Sequence, residues 1–335
     1  MKKILFILLI IISIKVNASV VVMDGFSGRV LYSKNQDERK LIASTTKIMT
    51  SIIALENGNL EDEYIVGKEI KEVNGSMIYV KEGEKLTLND LLHGLMLQSG
   101  NDAAMVIANN VMKYDEFIAN MNIKAYKLGM YNTSFENPHG LNDNTKNYST
   151  AYDMALLMKY AIKNSSFLKI TSTKKYKVKN YIWYNKNKLL SDYKYLISGK
   201  IGYTKSSGQV FVSSAIKDNK LLIIASIDEK DKFNLHKSLY EKYFSLYNKY
   251  KIIDKNTLPF IIRENSNDYL YINNDYYMML KDNEIKDLNI KYNISDTSKY
   301  ISIYLKDNLI HKEKINSLSY LNRTNKVKQS LLFWK

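Results

Sequence analysis

A serine and a lysine three residues apart, Ser44 and Lys47 in the segment STTK, have the residue types and the spacing for nucleophilic chemistry. They open an apolar stretch whose spacing predicts a helix over residues 43–57, so hydroxyl and amine would share one face. A lysine among apolar side chains loses its proton more readily and can act as general base. Amide groups at a helix N-terminus can stabilise a developing oxyanion.

The S-x-x-K spacing alone is a weak signal, and an ordinary N-cap serine is the alternative interpretation of Ser44. Of the matches in the chain, only the first opens an apolar helix. The matches start at Ser44, Ser166, Ser172, Ser191 and Ser214.

Two further segments place polar groups where packing does not require them. Ser99-Gly100-Asn101 interrupts an apolar helical stretch over residues 87–110 and would expose a hydroxyl and an amide. The same S-x-N pattern occurs at Ser33, and a loop serine with a capping role is the alternative. Lys200 precedes a β-rich stretch at residues 209–216, which puts a cation at a strand edge. The alternative interpretation of Lys200 is a solvated surface lysine.

A sheet with flanking helices, interrupted by a helical cluster, has to position these residues. From residue 258 onward, short Tyr/Ile-rich strands alternate with Asn/Asp turns and predict a small separate β domain. The pattern is that of an α+β protein. Strands are predicted at residues 19–23, 29–33, 210–216 and 221–227, with a β-rich stretch at 174–183, and helices at 43–57, 87–110, 115–128, 151–162 and 233–247.

Composition excludes several classes of protein. At 335 residues, 45% hydrophobic and 25% charged, the chain can fill a core and is neither disordered nor collagenous. It has no cysteine, which excludes disulfides, thiolate zinc sites and cysteine nucleophiles, and its four histidines lack metal-ligand spacing. The formal charge of +15 comes almost entirely from lysine, so it favours an anionic surface such as a membrane or cell wall over nucleic acid.

The N-terminus predicts export from the cytoplasm. Lys2 and Lys3 precede a mainly apolar run at residues 4–14, and Val16-Asn17-Ala18 has the small residues that a signal peptidase reads. The run is too short for a bilayer core, which needs roughly twenty residues. We therefore expect a signal peptide at 1–18, with a retained N-terminal anchor as the alternative.

Four blocks of sequence, in this order, resemble the D-alanyl-D-alanine carboxypeptidases, low-molecular-mass penicillin-binding proteins with an S-x-x-K, S-x-N, K-T-G site. They cover roughly residues 20–245 and read VLYSKNQDERKLIASTTKIMTSIIALE, GSMIYVKEGEKLTLNDLLHGLMLQSGNDAA, NTSFENPHGLND and GKIGYTKSSGQVFVSSA. The resemblance implies a β-lactamase/transpeptidase-like antiparallel sheet flanked by helices, with a helical subdomain.

The resemblance also implies a role for each matching residue. Ser44 would attack the bond between the two terminal D-alanines of a peptidoglycan stem peptide, and Lys47 would take its proton. Ser99 would relay a proton to the leaving amine, and Asn101 would hold the acyl side chain. Lys200 would help to bind the substrate carboxylate. The backbone N–H groups of Ser44 and Tyr203 would form the oxyanion hole. No metal or organic cofactor is implied, and β-lactam antibiotics would be inhibitors.

Three positions depart from the family pattern. The K-T-G threonine is Ile201, which removes a hydroxyl that would bond the substrate carboxylate. Two arginines near that carboxylate are replaced by Lys186 and Lys232, and lysine cannot make a bidentate fork. Thr204 lies two residues beyond Gly202 and could compensate. These changes affect carboxylate recognition more than acylation.

Three other functions compete with carboxypeptidase action. A class A β-lactamase needs a glutamate to activate water, but Glu136 lies too far from Leu141-Asn142 for that family's loop. A catalytically impaired wall-binding homologue would explain Ile201. A D,D-endopeptidase would act on the same D-alanyl bond within peptide cross-links.

The predicted organisation has four parts. A signal peptide at 1–18 precedes a serine D,D-peptidase domain at 19–250, and a small β domain follows at 255–322. Leu331, Leu332, Phe333 and Trp334 follow basic residues, so residues 323–335 are a candidate for a short membrane-associating tail, with a frayed terminus as the alternative. The expected location is extracytoplasmic.

Overall fold

A computed structural model describes residues 18–256, 268–295 and 297–319 of the chain. The predicted signal peptide, apart from its last residue, and the candidate tail lie outside these ranges. The helices are α1 (Lys47–Asn57), α2 (Leu88–His93), α3 (Asn101–Val111), α4 (Tyr114–Lys127), α5 (Ala151–Ala161), α6 (Ser165–Ser172), α7 (Leu189–Asp192) and α8 (Lys232–Leu246). The strands up to residue 253 are β1 (Ser19–Asp24), β2 (Val30–Lys34), β3 (Lys40–Leu41), β4 (Glu63–Ile65), β5 (Lys85–Thr87), β6 (Tyr148–Ser149), β7 (Lys175–Val178), β8 (Tyr181–Tyr184), β9 (Leu196–Thr204), β10 (Gly208–Lys217), β11 (Lys220–Ile227) and β12 (Asn248–Ile253).

Five strands form one antiparallel sheet in the order β2-β1-β11-β10-β9. β1 and most of β11 are buried on both faces because α5 packs on one face of the sheet and α8 on the other. This explains why both strands are continuous apolar runs instead of alternating apolar and polar residues. β9 lies at the edge, so one side of it is free to face the turn that carries Ser44.

Alternation along the strands divides the interior into two cores. Val210 and Val212 of β10 face the larger core, which lies between the sheet and the helices from α1 to α6. Phe211 faces the smaller core under α8, together with Tyr240 and Phe244. The same alternation applies to β9, where Lys200 lies opposite Val212 and Ile201 lies opposite Phe211.

The helical subdomain contains the predicted interruption. α2 continues into a single π-helical turn at Gly94–Gln98, and Ser99 ends that turn in the left-handed region with φ of 65°. α3 then starts at Asn101. Because π turns and left-handed non-glycine residues are strained, this break is held by its surroundings.

The described residues of the C-terminal part, from 248 to 256 and from 268 to 319 without 296, form strands and one 3₁₀ turn. Its core is aliphatic and includes Ile253, Leu270, Ile301 and Ile303. The buried carboxylate of Asp24, at the end of β1, accepts a hydrogen bond from Met279 N, which joins this part to the large sheet. Its strands are β13 (Asp268–Tyr271), β14 (Tyr276–Leu280), β15 (Leu288–Ile294), β16 (Lys299–Leu305), β17 (Asn308–Lys314) and β18 (Asn316–Ser319), paired as β12-β14, β13-β18 and β15-β16-β17.

The α+β prediction, with helices flanking an antiparallel sheet and a small C-terminal β part, is confirmed. The predicted β-rich stretch at residues 174–183 is the β7–β8 hairpin, whereas α6 and α7 were not among the predicted helices. β12 starts at Asn248 and pairs with β14. None of the helices in the described ranges combines the length and apolar character that a membrane span requires.

Candidate active site

Ser44 lies in a 3₁₀ turn, Ala43–Thr46, that leads directly into α1. Thr46 occupies the N-cap of α1 and no side chain caps that helix, so Ser44 is not an N-cap serine. Its side chain is half-buried, while Ala43 and Thr45 on either side are buried. The turn therefore presents one hydroxyl toward solvent from an otherwise closed surface.

Two glycines allow other segments to approach this turn. A Cβ on Gly202 of β9 would lie 3.0 Å from Ser44 N, and one on Gly140 would lie 2.0 Å from the Ala43 carbonyl oxygen. Gly140 also has φ of +90°, which side chains rarely adopt. The edge of the sheet and the loop at residues 137–141 thus enclose the Ser44 turn from two sides.

Lys47 is fully buried, and its amine meets three oxygen atoms. Nζ lies 3.1 Å from Ser44 Oγ, 2.7 Å from Asn101 Oδ1 and 2.6 Å from the His139 carbonyl oxygen. Two of these atoms, the amide and backbone carbonyl oxygens, can only accept. A neutral amine that donates to both of them keeps its lone pair for the Ser44 hydroxyl.

The charges around Lys47 favour the neutral amine. Burial, with the positive charges of Lys200 and Lys186, holds the pKa of Lys47 well below its usual range, against an opposing effect of the Asp102 carboxylate. Burial and the charge of Lys47 lower the pKa of His139 to about 3, so that imidazole is neutral near pH 7. Lys47 is therefore suited to accept a proton.

Ser99 and Lys200 form a second hydroxyl–amine pair. Lys200 Nζ donates to Ser99 Oγ at 3.0 Å and to the carbonyl oxygen of Ile201 at 3.0 Å. Both side chains are buried. Burial and the charge of Lys186 lower the pKa of Lys200 to about 7. The predicted S-x-x-K, S-x-N and K-x-G segments thus meet through direct contacts among their side chains.

Comparison with known proteins identifies the family. A family model described as D-alanyl-D-alanine carboxypeptidase matches residues 13–231. This chain belongs to the D-alanyl-D-alanine carboxypeptidase family.

Individual relatives agree with the family assignment. D-alanyl-D-alanine carboxypeptidase DacF of Bacillus subtilis is 36% identical over 212 residues, covering 60% of this chain and 54% of that protein. The chain thus matches about half the length of that relative. A solved D-alanyl-D-alanine carboxypeptidase from Mycobacterium tuberculosis is 30% identical with a TM-score of 0.65, covering 68% of this chain and 90% of its own.

One solved structure extends the likeness into the C-terminal part. D-alanyl-D-alanine carboxypeptidase DacD from Francisella tularensis matches 95% of this chain and 96% of its own, with a TM-score of 0.71 and 23% identity. At that identity the match shows a shared fold. The small β part after α8 therefore belongs to the same overall architecture.

Only some of the residues predicted to recognise a carboxylate in this family lie near the Ser44 turn. Lys186 is exposed and near the site, but its Nζ donates to the carbonyl oxygen of Gln98 at 2.8 Å. Lys232, the first residue of α8, bonds Gln209 Oε1 on β10, opposite Tyr203. No contact recorded in the described residues joins Lys232 to Ser44, Lys47 or Ser99.

Residues 201–204 alternate between the two faces of β9. The Ile201 side chain packs with the core under α8, on the face opposite Lys200. Tyr203 is 65% exposed, and its backbone lies next to Gly202, which contacts the Ser44 turn. The Thr204 hydroxyl donates to Ser207 Oγ at 2.9 Å and accepts from Ser207 N at 3.0 Å, so it already bonds within the β9–β10 turn.

Sequence reasoning missed two residues that lie around this site. His139 supplies a carbonyl acceptor for Lys47, and Asp102 is a buried carboxylate directly after Asn101. Their only signal was their presence in the quoted blocks NTSFENPHGLND and SGNDAA. A backbone acceptor has no residue-type signature, which explains why composition and spacing could not find it.

The competing S-x-x-K serines lie elsewhere. Ser214 is buried in β10, and its hydroxyl has no hydrogen-bond partner in the part of the chain that the structure describes, while Ser166 and Ser172 belong to α6 and Ser191 to α7. Within residues 18–256, 268–295 and 297–319, no three His, Asp or Glu side chains cluster closely enough to hold a metal ion.

Proposed function

We propose that this protein is a serine-type D-Ala-D-Ala carboxypeptidase that removes the terminal D-alanine from peptidoglycan stem peptides through an acyl-enzyme, and that it binds penicillins covalently. The observation that carries the proposal is the three-oxygen environment of Lys47 Nζ. With Asn101 Oδ1 and the His139 carbonyl taking its two N–H groups, the free amine has one direction left for its lone pair, toward Ser44 Oγ.

Acylation would start with transfer of the Ser44 proton to Lys47 while Ser44 Oγ bonds to the carbonyl carbon before the last D-alanine. The negative charge on the carbonyl oxygen would be met by the N–H groups of Ser44 and Tyr203. The C–N bond then breaks, and the proton held by Lys47 reaches the leaving amine through the Ser99 hydroxyl. Water attacks the ester and gives its proton to the neutral Lys47; the C–O bond to Ser44 then breaks, the proton returns to Ser44 Oγ, and the shortened peptide is released.

The terminal carboxylate would be attracted by Lys200, whose positive potential Lys186 reinforces. A bound carboxylate would raise the pKa of Lys200 and keep that amine charged. Asn101 would hold the acyl part of the peptide. Lys232 and Thr204 would act near the β9–β10 turn, through the Gln209 and Ser207 contacts that they already make.

Ile201 supports a second candidate, a wall-binding homologue with weak catalysis. Its side chain packs with the core under α8, and no hydroxyl stands at this position for the substrate carboxylate. D,D-endopeptidase action is a third candidate because cross-linked peptides contain the same D-alanyl bond.

Family members act on peptidoglycan outside the cytoplasm, and we propose the same location for this chain. The basic and apolar start of the sequence supports export by a signal peptide at 1–18, and the basic residues before 331–334 support peripheral membrane contact of the tail. A peptidase domain at 19–250 and a β domain at 255–322 complete the proposed organisation.

Incubation of the purified protein with a stem pentapeptide ending in D-Ala-D-Ala tests the function. Mass spectrometry should show loss of one alanine, and Lys47→Ala should lose this activity by at least about a hundredfold because general base catalysis is removed. Circular dichroism checks that the variant is folded. Tight penicillin binding with no product from any pentapeptide would favour the wall-binding homologue instead.

A further inference from the structure

Asp102 is a fully buried carboxylate in the first turn of α3, directly beside Asn101. It accepts hydrogen bonds from three backbone N–H groups: Ile78 N at 3.0 Å, Tyr79 N at 2.8 Å and Ala103 N at 2.9 Å. Burial raises the pKa of Asp102 above its usual range, and the three N–H donors oppose that shift by stabilising the charged carboxylate. One buried negative charge therefore ties the segment before β5 to the start of α3.

The neighbouring Asn101 makes the second half of this attachment. Its backbone N–H donates to Ser76 O at 2.7 Å, and its Nδ2 donates to Asn74 O at 2.6 Å. With Nδ2 fixed in this way, Oδ1 is turned toward Lys47 Nζ. The segment at residues 74–79 thus determines the direction in which the Asn101 amide points.

The attached segment is strained at one residue. Tyr79 has φ of +62°, a left-handed conformation that costs about 1–3 kcal/mol for a non-glycine residue and persists only where surrounding contacts impose it. The Asp102 bond to Tyr79 N is such a contact. Loss of the carboxylate would let the segment relax and free the Asn101 side chain.

Among the described residues, Asp102 is the negative charge that acts on the pKa of Lys47, and the positive charges are those of Lys200 on β9 and Lys186 before α7. His139, whose carbonyl contacts Lys47, is neutral near pH 7. The two lysine charges lower the pKa of Lys47 and the Asp102 charge raises it. Removing Asp102 would therefore lower the pKa of Lys47 further.

We propose that Asp102 is a positioning residue for the serine–lysine reaction: it fixes segment 74–79, and through it the Asn101 amide that orients the Lys47 amine. The inference rests on the proposed function of Ser44 and Lys47. Asp102 itself makes no contact with the reacting groups, and its effect passes through Asn101 and through its charge.

Acylation by a fluorescent penicillin, measured as a rate against pH, tests this inference with Asp102→Asn. The asparagine has the same shape, but it lacks the charge and must turn an NH₂ group toward N–H donors. The plateau rate should fall roughly tenfold because Lys47 loses its fixed partner. The acidic limb of the pH–rate curve, where the rate falls because Lys47 becomes protonated, should move to lower pH by about one unit.

Asp153→Asn is the matched control. Asp153 is also buried in the first turn of a helix, α5, and ties a loop by accepting from Asn132 N at 3.0 Å and Thr133 Oγ1 at 2.7 Å. It is not among the charges that act on Lys47. The control should lower stability to urea while leaving the acidic limb in place.

A double variant keeps the test valid if Asp102→Asn does not fold. Glycine adopts positive φ without cost, so adding Tyr79→Gly should restore part of the lost stability and leave the shifted limb unchanged. A limb that stays at the wild-type pH in every folded Asp102 variant would overturn the inference. A wild-type protein that no penicillin acylates would instead overturn the proposed function.

Discussion

Ser44 and Ser213 each hold a side-chain hydroxyl against a nitrogen base, and of these two serines only Ser44 has the features of an active-site nucleophile. Ser44 Oγ lies 3.1 Å from Lys47 Nζ at a half-buried position. Ser213 Oγ lies 2.7 Å from His236 Nδ1, which is shorter, and His236 Nε2 lies 2.9 Å from Ser226 Oγ. Ser213, Ser226 and His236 are all fully buried between the sheet and α8.

The surroundings of the two bases differ more than the distances do. Each ring nitrogen of His236 has a hydroxyl partner, and Ser213 also bonds Tyr240 Oη at 2.7 Å, so the hydrogen bonds form a closed network. Burial keeps the pKa of His236 well below its usual range, so the ring is neutral. Around Lys47, two acceptors direct the amine toward a hydroxyl that solvent can reach. Proximity of hydroxyl and base is thus insufficient without access.

The largest expected difference between the two pairs is in covalent labelling. Ser44→Ala should abolish labelling by a fluorescent penicillin because the nucleophile is gone. Ser213→Ala should be labelled at the wild-type rate but lose about 1–3 kcal/mol of unfolding free energy, since His236 and Tyr240 lose a buried partner. Gel fluorescence and urea unfolding measure the two effects.

Alanine variants of the remaining S-x-x-K serines, Ser166, Ser172, Ser191 and Ser214, serve as further controls and should keep full labelling. Labelling that persists in Ser44→Ala, or disappears in Ser213→Ala while that variant remains folded, would show that the wrong pair has been assigned.

A smaller effect is expected from Ile201→Thr. The residue 201 side chain packs on the face opposite Lys200, so a gain in kcat/KM requires the threonine to turn its hydroxyl toward the substrate. A hydroxyl bonded to a carboxylate contributes about 1.5–3 kcal/mol, so kcat/KM should rise by at most roughly ten- to hundredfold. The gain should be seen with a D-Ala-D-Ala peptide and be smaller with its C-terminally amidated analogue. Both residues are β-branched, so β9 should tolerate the exchange.

Equal effects of Ile201→Thr on the two peptides, or none on either, would mean that Thr204 or another group already holds the carboxylate. Isoleucine at position 201 would then not lower kcat/KM. Since Ile201 packs with the core under α8, urea unfolding of the variant is needed to separate recognition from stability.

The smallest effect is a shift in pH dependence. Lys200 has to be protonated to attract a carboxylate, and burial with the Lys186 charge lowers the pKa of Lys200 to about 7. As pH rises past that value the charge is lost, so kcat/KM for a D-Ala-D-Ala peptide should fall by about tenfold per unit. The amidated peptide should show a weaker alkaline limb.

Lys186→Gln sharpens this test. Glutamine can still donate to the Gln98 carbonyl, but it removes the positive charge that lowers the pKa of Lys200. The alkaline limb should therefore move to higher pH. A limb that does not move would mean that another group controls it.

Several features followed from the sequence alone because they depend on local periodicity. The apolar runs of β1, β10 and β11 and the repeats of α1, α4, α5 and α8 indicated the elements. The break at residues 99–101 and the opening of an apolar stretch at Ser44 indicated candidate chemistry. The order of the four sequence blocks then connected these candidates into one site and one family.

Tertiary structure decided which of the similar groups act together. The S-x-x-K spacing is the same at Ser44 and Ser214, but only the edge position of β9 and the approach of residues 137–141 complete a site around Ser44. In the fold, the side chains of Ile201 and Lys200 lie on opposite faces of β9, and the Lys186 amine donates to the backbone carbonyl of Gln98. These outcomes depend on contacts between residues about 50–100 positions apart, such as Lys47 with Asn101 and His139, and Ser99 with Lys200. Local sequence sets the conformation of each segment, but burial, charge and hydrogen-bond partners exist only after the segments have packed.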